Sequence, residues 1–308
     1  MEQQLKNRLS SLAVNLIQWD CSLAPYTSFG IGGAASALVT VESVAELERL
    51  LQFFVENNLN WRLIGRGTNL LVADHGFAGV ILILGKGLSR IVLQKEEQSG
   101  QVVVQVGAGC SLARLLAWCV EQGLSGLEFV SGIPGSVGGA VVMNAGAWGG
   151  EIADVIAALT VVSPLTGMEI LEREELDFSY RLWQNQGHNG AARMVVAADL
   201  QLRRGIKEEI AGRCRRYLQQ RLEKQPKGLK NAGSFFKNPP GDSAGRLIEA
   251  SGLKGKSCGG AMISPVHANF LVNSGQATAK DVLLLMEIVR EKVEKESGVR
   301  LETEVHFL

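Results

Sequence analysis

Residues 131–150 read SGIPGSVGGAVVMNAGAWGG, with seven glycines and no charged side chain. A segment so poor in side chains presents its backbone, because glycine accepts positive φ and lets another molecule approach the main chain. Backbone N–H groups that converge in such a loop, or at the start of a helix, form a site for phosphate oxygens. The run Gly138-Gly139-Ala140-Val141-Val142-Met143 reads as a short buried helix entered from a turn at Pro134, so loop and helix start coincide. Taken alone, the stretch fits a tightly packed turn between buried elements equally well.

A second run of the same kind favours the phosphate reading. Gly65-Arg66-Gly67-Thr68-Asn69-Leu70-Leu71-Val72 follows an apolar strand pattern at 61–64. Upstream, Ser43 with Glu46 forms a capping-box pattern. It opens a helix to Asn57 whose apolar positions Val44, Leu47, Leu50, Leu51, Phe54 and Val55 keep a 3.6-residue period. With strands expected at 36–41, 61–64 and 80–84, this makes a compact first lobe. A second lobe comprises a strand at 102–106, a helix from Ser111 to Gln122, the opening stretch, and strands at 157–162 and 194–202. Asp177-Phe178-Ser179-Tyr180-Arg181 lies in the connection between the last two. A helix from Ile206 to Lys224, basic on its outer face, reads mostly as a solvated surface.

After Pro226 the chain becomes turn-rich through Asn231-Ala232-Gly233-Ser234-Phe235-Phe236-Lys237-Asn238-Pro239-Pro240. A short helix at 244–250 and a strand at 270–272 follow. Thr278 with Asp281 starts a long helix that Gly298 stops after Ser297. In the closing run, strand alternation puts Leu301, Thr303, Val305 and Phe307 on one face and Glu302, Glu304 and His306 on the other.

At 308 residues, two or three domains are expected. Charges balance to zero, which gives no electrostatic case for nucleic acid or an anionic membrane as partner. No apolar run approaches a bilayer span, and MEQQLKNRLS lacks a signal-peptide core. The five cysteines form no C-x-x-C pair and suit a reduced cytoplasmic interior. Cys119 falls on a helical apolar stripe and reads as core. Four scattered histidines without an H-E-x-x-H run offer no metal site.

Two nucleotide motifs fail. The dinucleotide fingerprint needs G-x-G-x-x-G, but Leu70 stands at the third glycine after Gly65 and Gly67, and Leu112 after Gly107 and Gly109. Gly255-Lys256-Ser257 resembles the end of a P-loop, yet Ala250 occupies the required upstream glycine. What remains is a pair of glycine loops able to grip a pyrophosphate, the hinge of a flavin adenine dinucleotide, from both sides.

At this point the residues resemble a known family. Gly65-Arg66-Gly67-Thr68-Asn69-Leu70-Leu71, Ser131-Gly132-Ile133-Pro134-Gly135-Ser136-Val137-Gly138-Gly139 and Met143-Asn144-Ala145-Gly146-Ala147 are similar to the flavin loops of the UDP-N-acetylenolpyruvoylglucosamine reductase family. Ser179-Tyr180-Arg181, Gly233-Ser234-Phe235-Phe236-Lys237-Asn238-Pro239 and the run from Leu301 to Phe307 resemble further signatures in the same order. The chain is short, resembling the subgroup without an extra substrate-covering loop. The resemblance implies an α+β protein with the two-lobed FAD-binding fold of the vanillyl-alcohol oxidase (PCMH) type, plus a C-terminal α/β substrate-binding domain. The expected division is a lead at 1–24, an FAD-binding domain at 25–204 (lobes 25–95 and 96–204), and a substrate domain at 205–308.

The resemblance further implies noncovalent FAD held by Gly65, Arg66, Gly67, Thr68, Asn69, Leu70, Ile133, Pro134, Gly135, Ser136, Gly138, Gly139 and Asn144. NADPH is the implied co-substrate and UDP-N-acetylglucosamine enolpyruvate the implied substrate, reduced to UDP-N-acetylmuramate for peptidoglycan by a cytoplasmic monomer. Arg181, Ser234 and Glu304 are the implied catalytic trio; Tyr180, Lys224 and Asn238 are implied substrate contacts. Trp148 stands where relatives carry tyrosine and His267 where some carry an amide, and both are carried over as substrate contacts. Hydride addition to a double bond conjugated to a carboxylate moves charge onto that carboxylate. Arg181 suits it as a bidentate clamp; Ser234 would protonate the adjacent carbon, and Glu304 would hydrogen-bond the carboxylate or relay a proton. Against these stand plainer readings: a surface arginine, a turn hydroxyl, and a solvent-facing glutamate for which Glu302 is the internal control. An oxidase of the same superfamily and a non-catalytic flavin or nucleotide-sugar binder remain as rivals.

Overall fold

The computed structural model describes residues 2–184 and 192–308. They fall into two compact units: Met1–Trp19, Ala37–Gly65 and Gly79–Gln219 form the first, and Asp20–Ser36, Arg66–Ala78 and Gln220–Leu308 the second.

In the first unit the helix Val44–Glu56 begins where expected, with Ser43 Oγ accepting from the Glu46 N–H at 3.2 Å. The capping box does not close. The Glu46 carboxylate, wholly buried, instead accepts from the N–H groups of Val14 and Glu42, both at 2.7 Å. A desolvated carboxylate needs charge-assisted donors more than an exposed cap does. Leu47, Leu50, Leu51 and Phe54 are buried as the period predicts, but Val55 is 53 % exposed and Phe53 turns inward in its place.

A six-stranded sheet lies in the same unit. Five strands follow in the order Gly167–Glu172, Ile156–Ser163, Met194–Arg204, Gln101–Gly107 and Ile91–Glu96, with Leu124–Ser125 beside Met194–Arg204. Every pairing is antiparallel. One row runs Leu171, Leu159, Ala198, Val106, all buried. The helix Leu112–Glu121, capped by Ser111, buries Leu112, Leu115 and Cys119. Burial pushes the Cys119 thiol up to about 12, so it is an inert core residue. The two edge strands escaped the sequence reading because most of their side chains face outward.

Helix Lys207–Lys224 buries only Ile210, yet one of its arginines is no mere surface charge. Arg213 Nη2 and Nε donate to Glu128 Oε1 at 2.7 and 3.1 Å, and Ser125 Oγ and the Gly126 N–H donate to the same carboxylate. Burial pushes Glu128 up, but the Arg213, Gly126 and Ser125 bonds outweigh it and hold the carboxyl below its ordinary 4.5. A carboxyl lowered by folding stabilises above its ordinary value, and the contribution is lost as pH falls through the folded value. Arg213→Ala is therefore expected to destabilise the protein at neutral pH by about 1–3 kcal/mol. The deficit, read by urea denaturation, should shrink below pH 4.5; a deficit unchanged in acid would refute the ion-pair account.

The second unit is built on an antiparallel sheet in the order Lys230–Asn231, Leu271–Asn273, Ala261–Ile263, Ser257–Cys258. Helices Ala244–Ala250 and Ala279–Ser297 share its core with Phe235 and Phe236. Here the capping box of Thr278 and Asp281 is complete, and the Asp74 carboxylate adds bonds from the Ala279 and Lys280 N–H groups at 2.7 and 3.0 Å. The terminal run departs from simple alternation. Leu301 and Val305 are buried, but the chain bends at Val305 and leaves Phe307 48 % exposed. Beyond the bend, His306 and Phe307 pair in parallel with Leu70 and Leu71.

Candidate functional site

In the first unit, Ser136 caps the short helix Val137–Val142, accepting from the Gly139 N–H at 3.4 Å. A Cβ on Gly65 would lie 2.6 Å from Ser136 Oγ, so the start of one glycine loop meets the other and tolerates no side chain. The donors expected at the helix start are not those on offer. Val137 and Gly138 give their N–H groups to the carbonyls of Cys110 and Ala108, at 2.8 and 2.9 Å, because the loop pairs with the chain leaving strand Gln101–Gly107. Among the described residues of the first unit, the N–H groups of Gly65, Gly135 and Ser136 carry no hydrogen bond; in the second unit, those of Arg66 and Gly67 carry none. Gly67 has φ +61° and a Cβ there would strike the Tyr26 carbonyl at 2.0 Å. In each unit, unbonded amides beside a glycine that admits no Cβ, Gly65 in the first and Gly67 in the second, fit phosphate oxygens. Ile133 donates to the Val130 carbonyl, Pro134 is exposed, and Leu70 enters the pairing with His306.

A second cluster lies in the first unit. Strands Gly146–Ala147 and Gly150–Glu151 are joined by Trp148 and Gly149, with φ of 57° and 83°. Positive φ at both positions marks a type I′ hairpin turn, an uncommon place for tryptophan. The Trp148 ring stacks on Tyr217 at 5.4 Å and 3°, and its Nε1 is buried with no hydrogen-bond partner among the described residues. Asn144, wholly buried with φ 38°, accepts from the Ala153 N–H at 3.0 Å and donates to the Ser179 carbonyl at 3.1 Å. Arg181 has φ 60°; its Nη2 donates to the Gly146 carbonyl at 3.2 Å, and its guanidinium lies 4.8 Å over the Tyr180 ring. Three of the six non-glycine residues with positive φ among those described thus sit in one bonded cluster, and such strain gathers at functional sites. The role of Tyr217 had no signal in sequence, since only the fold brings it to Trp148.

In the second unit, Ser234 and Glu304 are joined through one intervening residue: the Glu304 N–H donates to the Phe235 carbonyl at 2.9 Å. Both are half-buried, whereas Glu302 is exposed and pairs with Lys237 at 3.7 Å. Asn269, absent from the sequence reading, holds this segment. Its carbonyl accepts from Phe235 N–H, its Oδ1 from Phe236 N–H, and its Nδ2 donates to the Phe236 carbonyl, all within 2.9 Å. A buried asparagine between Ala268 and Phe270 is the only trace it left in sequence. Asn238 Oδ1 accepts from the Ala244 N–H at 3.1 Å, and Lys224 is exposed at its helix end. His267 packs edge-on against Phe270 and accepts from the Asn269 N–H at 3.2 Å. Burial, then the Lys254 cation, hold it below its ordinary value and keep it neutral.

Residues 35–169 match a family model described as FAD binding domain, which with the mixed helix and sheet content makes this an α+β flavin-binding architecture. Residues 225–308 match the model of the UDP-N-acetylenolpyruvoylglucosamine reductase C-terminal domain. The UDP-N-acetylenolpyruvoylglucosamine reductase of Syntrophus aciditrophicus is 42 % identical over 304 residues, 99 % of this chain and 96 % of that protein. Reductase 2 of Symbiobacterium thermophilum is 47 % identical over 283 residues, 92 % and 89 % of the two chains. The crystal structure of the Thermus caldophilus reductase aligns with TM-score 0.78 and 40 % identity, covering 95 % of this chain and 99 % of that one. The chain belongs to the UDP-N-acetylenolpyruvoylglucosamine reductase family.

Proposed function

We propose that this protein oxidises NADPH and reduces the enolpyruvyl double bond of UDP-N-acetylglucosamine enolpyruvate, giving UDP-N-acetylmuramate for peptidoglycan synthesis in the cytoplasm. The observation that carries the reading is full-length relatedness to reductases of that name; the unbonded amides of the glycine loops and the left-handed Arg181 support it. In the first unit, the unbonded amides of Gly65, Gly135 and Ser136 are proposed to meet FAD phosphate oxygens; in the second unit, those of Arg66 and Gly67 are proposed for the same role. When bound, FAD would supply the hydride.

In this reading residues 25–204 hold the flavin, residues 205–308 the substrate, and the chain acts as a monomer. Arg181, aimed by its left-handed backbone and its bond to Gly146, meets the carboxylate on which charge develops. Ser234 gives its hydroxyl proton to the neighbouring carbon, a strong base at that moment, and regains one from water. Glu304 hydrogen-bonds the carboxylate or relays that proton. Tyr180 and Trp148 of the first unit, and Lys224, Asn238 and His267 of the second, are each proposed as substrate contacts, Lys224 meeting a phosphate.

The visible spectrum of the purified protein tests the reading. It is expected to be yellow, to bleach on anaerobic NADPH and to recover with the enolpyruvyl substrate alone. Hydrogen peroxide formed with no enolpyruvyl requirement would turn the reading toward an oxidase, and a colourless protein that cannot be reconstituted would end it.

A further inference from the structure

Glu304 is gripped from two sides by backbone bonds that lie wholly within the second unit. Its N–H donates to Phe235, next to Ser234. Its carbonyl accepts from Asn69 Nδ2 at 2.9 Å. The Asn69 carbonyl in turn accepts from the His306 N–H at 3.1 Å, so one asparagine brackets the bend at Val305. Below it, the Leu308 N–H reaches the Leu71 carbonyl at 3.0 Å and the Ala73 N–H reaches the Leu308 carbonyl at 2.7 Å. Asn69 also directly follows Arg66, Gly67 and Thr68, the glycine loop with unbonded amides at Arg66 and Gly67.

We infer that Asn69 is a positioning residue for Glu304. Its side-chain amide fixes the carbonyl of residue 304 and its backbone fixes residue 306, so that the direction of the Glu304 carboxyl is set by the loop that presents its amides to the diphosphate. The inference rests on the proposed role of Glu304. Residues 302–304 are already paired along one edge with residues 235–237, through the Glu304 and Lys237 N–H groups; the Asn69 bond holds the Glu304 carbonyl as well, just before the bend at Val305. One asparagine thereby couples the loop to the carboxylate without touching the reacting atoms.

The test uses Asn69→Ala, Glu304→Gln and the double variant in the full chain. Loss of one part-buried hydrogen bond should raise amide exchange over residues 303–308 by about fivefold to tenfold in Asn69→Ala, measured on the purified protein. Reoxidation by the enolpyruvyl substrate should slow on the order of tenfold in the same variant, with little further loss when Asn69→Ala is added to Glu304→Gln. Non-additivity together with the faster exchange supports the inference, because a merely structural loss would multiply in both backgrounds. Fully additive losses, or unchanged exchange over 303–308, overturn the inference alone. A Glu304→Gln variant that reoxidises at the wild-type rate overturns the role of Glu304 and the inference with it.

Discussion

Ser234→Ala is expected to leave anaerobic reduction by NADPH within about twofold while slowing reoxidation by the enolpyruvyl substrate on the order of 10²–10⁴-fold, the range for loss of a positioned acid. The plain alternative for this serine is a hydroxyl that satisfies its own turn. The turn already has another donor–acceptor pair: Asn231 Oδ1 accepts from the Gly233 N–H at 2.9 Å. Among the described residues the Ser234 hydroxyl makes no hydrogen bond, though the residue is half-buried. Phe235 and Phe236, both wholly buried and held by Asn269, fix the chain on its C-terminal side. A hydroxyl on a segment braced this way and not used in bracing it is suited to act on something else. Ser234→Cys, which restores a proton to give, should recover part of the lost rate. Stopped-flow absorbance of the two half-reactions separates the readings, and equal damage to both would remove Ser234 from the proton-donor role.

What the sequence disclosed and what it hid follow a physical division. Elements whose identity rests on local pattern were legible. Ser43, Ser111 and Thr278 cap the helices they were expected to cap, because N-caps are decided within three residues. The buried strands at Gln101–Gly107 and Met194–Arg204 declared themselves by alternation or apolar runs. Edge strands did not, since a strand open on one side needs no apolar face. Glu46 and Arg213 show a deeper limit: whether a charge is solvated or buried against a distant partner depends on chain that arrives from 32 or 85 positions away. The glycine loops were legible as places that exclude side chains, while the identity of the unbonded amides was not. The donors of Val137 and Gly138 looked available in sequence and are consumed by Ala108 and Cys110. Asn69 was named only for the flavin, and its bond to the Glu304 carbonyl, like the role of Asn269, was hidden because a side-chain amide that imitates a strand's backbone has no periodicity.

Arg181→Lys is the second large effect expected, a loss of about 10²–10³ in the enolpyruvyl half-reaction with reduction by NADPH little changed. Charge is retained in this variant, so the loss isolates geometry. The Arg181 guanidinium is held on two sides, by the Gly146 carbonyl at 3.2 Å and by the Tyr180 ring at 4.8 Å, and it stands on a residue with φ 60°. Left-handed backbone at a non-glycine residue is tolerated only where surrounding bonds enforce it; here Asn144, bonded to the Ser179 carbonyl, supplies one of them. The fork can present two parallel N–H donors to a carboxylate while a third bonds Gly146, a division of labour open to guanidinium and closed to a single ammonium. Lysine at 181 must abandon either the Gly146 carbonyl or the bidentate grip. If the arginine were only a surface cation near the site, lysine would serve nearly as well, and a variant within about threefold of wild type in both half-reactions would show that charge alone suffices. A variant that instead loses NADPH reduction to the same degree would show that Arg181 supports the fold of the flavin site rather than the carboxylate, and the assignment of the clamp would pass to another cation.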